Sequence, residues 1–359
     1  MIKLPQQTKP CKPFKPPYMK LRQTGFLIVA LILTTNIFAQ SDIEKLVNEG
    51  IEYHDKGDYT KALEIYKKAL KLDPESALIK YEMALSYIEN GDYDKAVEYS
   101  DEVLKKSKKY AIPAYITKCS ALERQGKLKE STEALEEAIA KTEGYYLLNY
   151  NLSINYFKLN NLDKAEENVL KAIDLKPTHS SSHYMLAQIH YQKENTVQSL
   201  LATYYFLLFE PRSPRSEQAN AILKQSFSGN VTKDENNPNE INISLSPNSS
   251  SEFAEAELML SMLEASKTLE ENKGKTEDEM FIENTGKFFT ILGELNKDEE
   301  SDIWWNFYIP LFSELAKTEH LETYCKYITQ SSNKNSEKWI AENKTKLKAF
   351  GDWLVNLDK

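Results

Sequence analysis

GIEYHDKGDYTKALEIYKKALKLDP (50–74), ALSYIENGDYDKAVEYSDEVL (84–104) and SINYFKLNNLDKAEENVLKAIDLKP (153–177) are one phrase written three times. A self-similar unit of about 34 residues marks stacked helix–turn–helix repeats. In the first copy the small residue Gly50 is followed one turn later by Tyr53. Then come Gly57, Tyr59, Ala62, Tyr66, Ala69 and Pro74. Gly50 and Ala62 are small where the two helices of a hairpin must cross closely. Tyr53, Tyr66 and Ala69 fall at helical spacing and form the stripe that the hairpin buries. Gly57 supplies backbone freedom for the tight turn. Pro74 cannot continue the second helix, so it ends the unit.

The second copy gives Ala84, Tyr87, Gly91, Tyr93 and Ala96, and closes on the lysine-rich KKSKKY (105–110) instead of a proline. A third gives Cys119, Leu122, Gly126, Leu128, Ser131, Leu135 and Ala138, displaced by one inserted residue. The fourth gives Ser153, Tyr156, Asn160, Leu162, Ala165, Val169, Ala172 and Pro177. A degenerate fifth gives Ala187, His190, Ser199, Thr203, Phe206 and Pro211. These small, aromatic, Ala and Pro positions resemble the tetratricopeptide repeat (TPR). The resemblance covers residues 43–213, just under half of the chain. It implies an all-α fold: a TPR-type α-solenoid of about five helix–turn–helix repeats followed by a smaller helical domain. End repeats need polar caps, and Ser213–Phe227 reads as the C-terminal capping helix, so the array runs over 43–227.

The resemblance also implies a site. In such arrays the concave surface is lined by first-helix residues just off the packing stripe. Carried over residue by residue, these are Val47, Ile51 and His54, then Tyr81, Leu85 and Ile88. The third repeat offers Ile116, Ser120 and Glu123, and the fourth Tyr150, Ile154 and Phe157 with Asn151 beside them. The fifth offers Tyr184, Gln188 and Tyr191. An apolar and aromatic row suits a protein or peptide partner, because aromatics give large contact area at low entropy cost. Chaperone-binding members use a Lys/Asn clamp for a C-terminal carboxylate. Val47 and Ile51 stand where its first Lys and Asn would, so that activity is not implied. Two arrangements fit the sequence: an open groove, or a row covered by the capping helix or the C-terminal half.

The N-terminal end reads as an export signal. Lys20 and Arg22 form a short basic region, Phe26–Leu33 is an unbroken apolar run, and Ala39–Gln40 is a suitable cleavage point. The apolar run is too short for a comfortable membrane span. Residues 1–18 are Pro/Lys-rich and out of place ahead of such a signal, so Met19 reads as the true start and 19–39 as the signal peptide. The expected location is the periplasm or the outside of a Gram-negative-type cell, without membrane attachment after cleavage. Residues 1–39 carry six basic and no acidic side chains, so their removal takes the net charge from −9 to −15. Only Arg124, Arg212 and Arg215 then remain as arginines. Such a surface repels nucleic acid and anionic lipid, and phosphate-reading surfaces lean on arginine.

Ser228–Glu252 is Asn/Ser/Pro-rich and reads as a polar linker. Helical periodicity returns over 253–359, with helices expected at 253–272, 278–296, 300–317, 320–331 and 336–356. Trp304, Trp305, Phe307 and Tyr308 concentrate aromatic surface there. This half does not keep the repeat landmarks.

Chemistry is sparse. The sequence holds no Gly-rich phosphate loop, no GxSxG and no CxxC. His179, His183 and His190 could share one helical face as metal ligands do, but His183 and His190 fall at buried positions of the fifth repeat and read as packing residues. Cys119 takes a small packing position. It and Cys325 lie in different halves, which does not favour a disulfide. Carboxylates lie at helix-surface spacing beside lysines, the pattern of solvated faces. The sequence therefore points to an exported, non-enzymatic scaffold that needs no cofactor and holds a peptide or envelope protein in its groove. A periplasmic ligand-binding or enzymatic role of the C-terminal helical domain is the alternative.

Overall fold

The structure, a computed structural model, describes residues 27–142, 144–228, 231–233, 241–243, 253–295 and 302–357. The leading segment 1–18, the basic start of the export signal and most of the polar segment 228–252 lie outside the described residues. Packing divides the chain into two compact units, one ending at Leu159 and one running from Asn160. The sequence placed a boundary at 228–252; the packing instead puts the fifth repeat and the C-terminal helices in one unit.

The first unit holds α1 (Leu27–Asp55), α2 (Tyr59–Leu72), α3 (Ala77–Glu89), α4 (Tyr93–Lys106), α5 (Ala111–Arg124), α6 (Leu128–Lys141) and α7 (Tyr146–Lys158). Helix α1 passes without a break through the expected cleavage point at Ala39–Gln40. Among the described residues no helix is long and apolar enough to cross a membrane.

The GD pair makes each hairpin turn by two separable devices. Gly57 and Gly91 take φ of +81° and +83°, where a Cβ would be strained. The following Asp58 and Asp92 cap the next helix, accepting from the amides of Lys61 and Lys95. Gly50 is small for the expected reason. A Cβ there would lie 2.3 Å from Tyr66 Cε1, so the Tyr66 ring lies against bare backbone. Tyr66, Ala62, Ala69, Ile79 and Met83 are fully buried and join Val47, Leu63 and Tyr87 in one core cluster.

The second unit holds α8 (Leu162–Leu175), α9 (Ser180–Gln192), α10 (Thr196–Phe209), α11 (Pro214–Ser228) and α12 (Ala254–Ala265). Further on lie α13 (Glu277–Glu294), α14 (Ile309–Ala316), α15 (Leu321–Thr329), α16 (Lys334–Glu342) and α17 (Lys344–Asn356). Two features depart from the expected helices. After Ala265 the chain breaks into two 3₁₀ turns, Ser266–Thr268 and Glu270–Asn272. The last expected helix is two, divided at Asn343, whose side-chain amide donates to the Trp339 carbonyl at 2.8 Å. A short antiparallel pair, β1 (Val231–Lys233) with β2 (Ile241–Ile243), lies within the segment read as linker.

Helix α10 organises this unit. Its sequence TVQSLLATYYFLLF carries no charge, and every residue from Val197 to Leu207 is buried. A helix apolar all round must be surrounded, and α9, α11, α12, α15 and the Trp304–Tyr308 turn surround it. Tyr204 meets Phe289 edge-on at 4.9 Å between ring centroids. Its hydroxyl lies 3.1 Å from Thr285 Oγ1, and Tyr324 Oη donates to its carbonyl at 3.0 Å.

Candidate peptide-binding face and the capped fifth repeat

In the first unit the odd-numbered helices touch across successive repeats, α1 with α3, α3 with α5 and α5 with α7. The even-numbered helices approach one another less closely. The odd helices therefore form the inner, concave side. Their row of sequence-selected residues is half-exposed: Ile51, Tyr81, Leu85, Ile116, Ser120, Tyr150, Asn151, Ile154 and Phe157. Tyr81 stacks on Tyr110 with ring centroids 6.0 Å apart. Asn151 spends its amide on the Leu147 carbonyl of its own helix at 2.8 Å.

Val47 and Ile88 are corrections. They are 6% and 5% exposed and belong to the core cluster with Leu63 and Met83, so they offer nothing to a partner. His54 is half-buried and its Nδ1 lies 2.8 Å from Ser86 Oγ, which ties α1 to α3.

One edge of this face carries ion pairs between successive odd helices. Glu89 of α3 pairs with Arg124 of α5 at 3.1 Å, and Glu123 of α5 with Lys158 of α7 at 2.5 Å. Glu123, expected in the groove, is thus a strut.

In the second unit the fifth-repeat row does not behave as one. Gln188 is half-buried and Tyr191 is 40% exposed, but Tyr184 is 7% exposed. Helix α11 covers Tyr184: Gln218 Oε1 accepts from its hydroxyl at 2.8 Å, and the Arg215 guanidinium sits 5.6 Å from its ring centre. The Phe206 ring packs against it with centroids 4.6 Å apart. The capping helix therefore takes Tyr184 out of any groove.

The histidines are structural members of the same unit. His183 is fully buried, with Nε2 donating to the Pro177 carbonyl at 2.8 Å. That fixes the tautomer, so Nδ1 accepts from Tyr308 Oη at 2.5 Å. Burial lowers its pKa to about 3, against the pull of the Pro177 carbonyl. Asn195 donates to His190 Nδ1 at 3.1 Å, and His190 Nε2 lies 3.4 Å from Glu166 Oε1. Burial opposes the Glu166 charge, but His190 and Lys193 outweigh it and hold the carboxyl at about 2.

Trp304–Tyr308 forms a single π-helical turn entering α14. That wider turn brings Trp304 against His190 at 4.9 Å and Tyr308 against Tyr205 at 5.6 Å. The aromatic concentration noted in the sequence is thus largely packing against the fifth repeat, with Trp304 6% and Tyr308 0% exposed. Both cysteines are buried free thiols, whose pKa values burial pushes up to about 12. Among the described residues no group of three His, Cys, Asp or Glu side chains is placed to hold a metal ion.

Sequence reasoning missed one feature of this unit. A cavity of about 1000 Å³ is lined from α11, α13, α15 and α16, with Phe227, Met280 and Phe281 among its apolar walls. Its polar side holds Asp278, which accepts from Lys326 at 2.8 Å and Asn333 at 2.5 Å. These residues are scattered over about 120 positions, so no local motif marks them.

Comparison with known proteins bears on the repeats alone. Models of the tetratricopeptide repeat match residues 53–113 and 147–179. No curated protein matches. Solved structures similar to the chain include TTC0263, a thermophilic TPR protein of Thermus thermophilus, at 20% identity and a TM-score of 0.43. The match covers 51% of this chain and 99% of that one. YrrB, described as a TPR protein with an unusual peptide-binding site, is 18% identical with a TM-score of 0.40, covering 52% and 97%. MamA from Desulfovibrio magneticus RS-1 is 21% identical with a TM-score of 0.39, covering 51% and 96%. The repeat phrase, the paired helices and the matched models agree: the chain carries tetratricopeptide repeats, a fold that serves as a protein–protein interaction scaffold.

Proposed function

We propose that this is an exported, non-enzymatic scaffold that binds an extended peptide segment of an envelope protein on the inner face of its first unit. The observation that carries this reading is the half-exposed row from Ile51 through Tyr81, Leu85, Ile116, Tyr150 and Ile154 to Phe157. An apolar row of this length left open to water is the mark of an interaction surface. Export is supported by the basic, apolar and small-residue order of residues 20–40. Two measurements test the reading. N-terminal sequencing of the exported protein is expected to begin at Gln40; a mature chain that retains Phe26–Leu33 overturns the export part. Binding of peptides selected on the full chain is expected to fall when Tyr81 and Tyr150 are changed to Ala; unchanged binding overturns the groove.

A second reading is favoured by the cavity of the second unit. A concavity of this volume is in the range of small-molecule sites, which keeps a ligand-binding role for the C-terminal helices in play. Replacing Met280 with Trp would fill it. A change in the metabolites retained by native protein after that substitution would support this reading.

A further inference from the structure

We propose that the cavity of the second unit receives a small, uncharged aromatic molecule that carries a hydroxyl or ring N–H, and that this donor is held by the side-chain oxygen of Asn284. The inference rests on the ligand-binding reading of the C-terminal helices and adds the chemical class of the ligand. Two helix stripes build the walls. Asn220, Ala221, Lys224 and Phe227 fall at helical spacing on α11, and Glu277, Met280, Phe281 and Asn284 on α13. At about 1000 Å³ the cavity stands at the upper end of drug-sized sites.

Asn284 is the group that the fold leaves unanswered. It is 1% exposed, and its Nδ2 donates to the Leu263 carbonyl at 3.1 Å. A carbonyl can only accept, so that bond fixes which way round the amide lies. Oδ1 is left on the other branch, buried and with no hydrogen-bond partner among the described residues. A buried acceptor in that state costs stability, which a ligand's O–H or N–H restores. Other polar groups of the lining are already taken. Asp278 accepts from Lys326 and Asn333, Lys275 pairs with Glu283 at 2.5 Å, and Glu264 with Lys267 at 2.5 Å.

The other walls select a flat, uncharged body. Phe227 and Phe281 meet edge-on with ring centroids 6.4 Å apart, and Met280 precedes Phe281 on the same stripe. Aromatic rings and a thioether both favour contact with another ring. The lining carries four carboxylates and five lysines, so it exerts little net pull on an ion of either sign.

The test titrates the full chain, by ligand-detected NMR, with indole and with N-methylindole, which has nearly the same shape but no donor. Both are expected to bind, indole the more tightly. Both are expected to be lost in Met280→Trp and in Ala221→Trp, the second of which blocks the cavity from an exposed position. In Asn284→Leu the preference for indole is expected to shrink about tenfold, while N-methylindole keeps its affinity. That variant should fold, because the Leu263 carbonyl still accepts from the Ser266 hydroxyl at 2.7 Å. Probes that bind the wild type equally, or a preference indifferent to Asn284→Leu, would overturn this inference and leave the ligand-binding reading standing. No binding of either probe, or binding unchanged in both Trp variants, would overturn both.

Discussion

Tyr308 Oη donates to His183 Nδ1 at 2.5 Å, joining two fully buried residues 125 positions apart. His183 is thereby satisfied at both ring nitrogens while neutral, and has no room for a second proton. Tyr308→Phe would leave Nδ1 buried and unpaired, a cost of about 1–3 kcal/mol. The same burial sets an acid limit. A histidine held at about 3 in the folded chain, but free to take a proton near 6.5 when unfolded, loses stability as pH falls from about 6.5 toward 3. Melting temperatures from pH 7 to pH 4 should fall, and should fall less in His183→Gln.

Glu257 sets the opposite slope. It is 1% exposed, with both carboxyl oxygens lacking a hydrogen-bond partner. Burial raises its pKa to about 7. The folded chain therefore binds a proton that the unfolded chain has released. Stability from this group is complete below about pH 4.5 and drains away as pH rises through 7, by on the order of 3 kcal/mol. Glu257→Gln keeps the shape without the proton. It should melt later than the wild type at pH 8 and show no such gain at pH 5.

Tyr81 and Tyr184 were equals in the sequence and are not equals in the fold. Tyr184→Ala removes packing on Phe206 and Arg215 and frees Gln218, so it should cost about 3–5 kcal/mol. Tyr81→Ala, half-exposed, should cost about 1 kcal/mol or less and act on binding instead. Chemical denaturation of the two single variants, side by side, checks the ranking. Equal losses would mean that Tyr81 is covered too.

A specific protease site placed within 244–250 tests how the second unit is joined. Helices α12 and α15 pack on α10, and Asn220 of α11 donates to the Ile328 carbonyl at 3.1 Å. The two pieces should therefore stay together in size-exclusion chromatography after cleavage. Separation under native conditions would mean that the C-terminal helices fold alone.

The repeats were legible because their rules are local. Gly57, Gly91, Asp58 and Asp92 each answer to a turn or a cap within four residues of themselves, and Gly50 with Tyr66 to one helix crossing. Asn160 and Glu194 show where that legibility fades: both hold the same left-handed turn, φ +56° and +60°, without a glycine. The groove was legible in part. Its row could be read from register, but register does not say what lies on top, so Val47 and Tyr184 were indistinguishable from Tyr81. The cover over Tyr184 comes from Arg215 and Gln218, which match no periodic pattern. The boundary at 228–252 was read from composition, whereas the units are divided by packing. The sign of that packing was in the chain all along: TVQSLLATYYFLLF has no polar face to turn to water.

That same helix decides where the molecule can change its length. A stacked array grows or shrinks by whole hairpins, because each touches only its neighbours. The hairpins of the first unit have that freedom. Helix α10 does not, since Tyr204 and Tyr205 are already taken by Phe289, Tyr324 and Tyr308. A hairpin added after it would find no free surface to stack on. Duplication or loss of repeats is confined to the upstream side, so relatives of different lengths should vary there while this aromatic end stays constant.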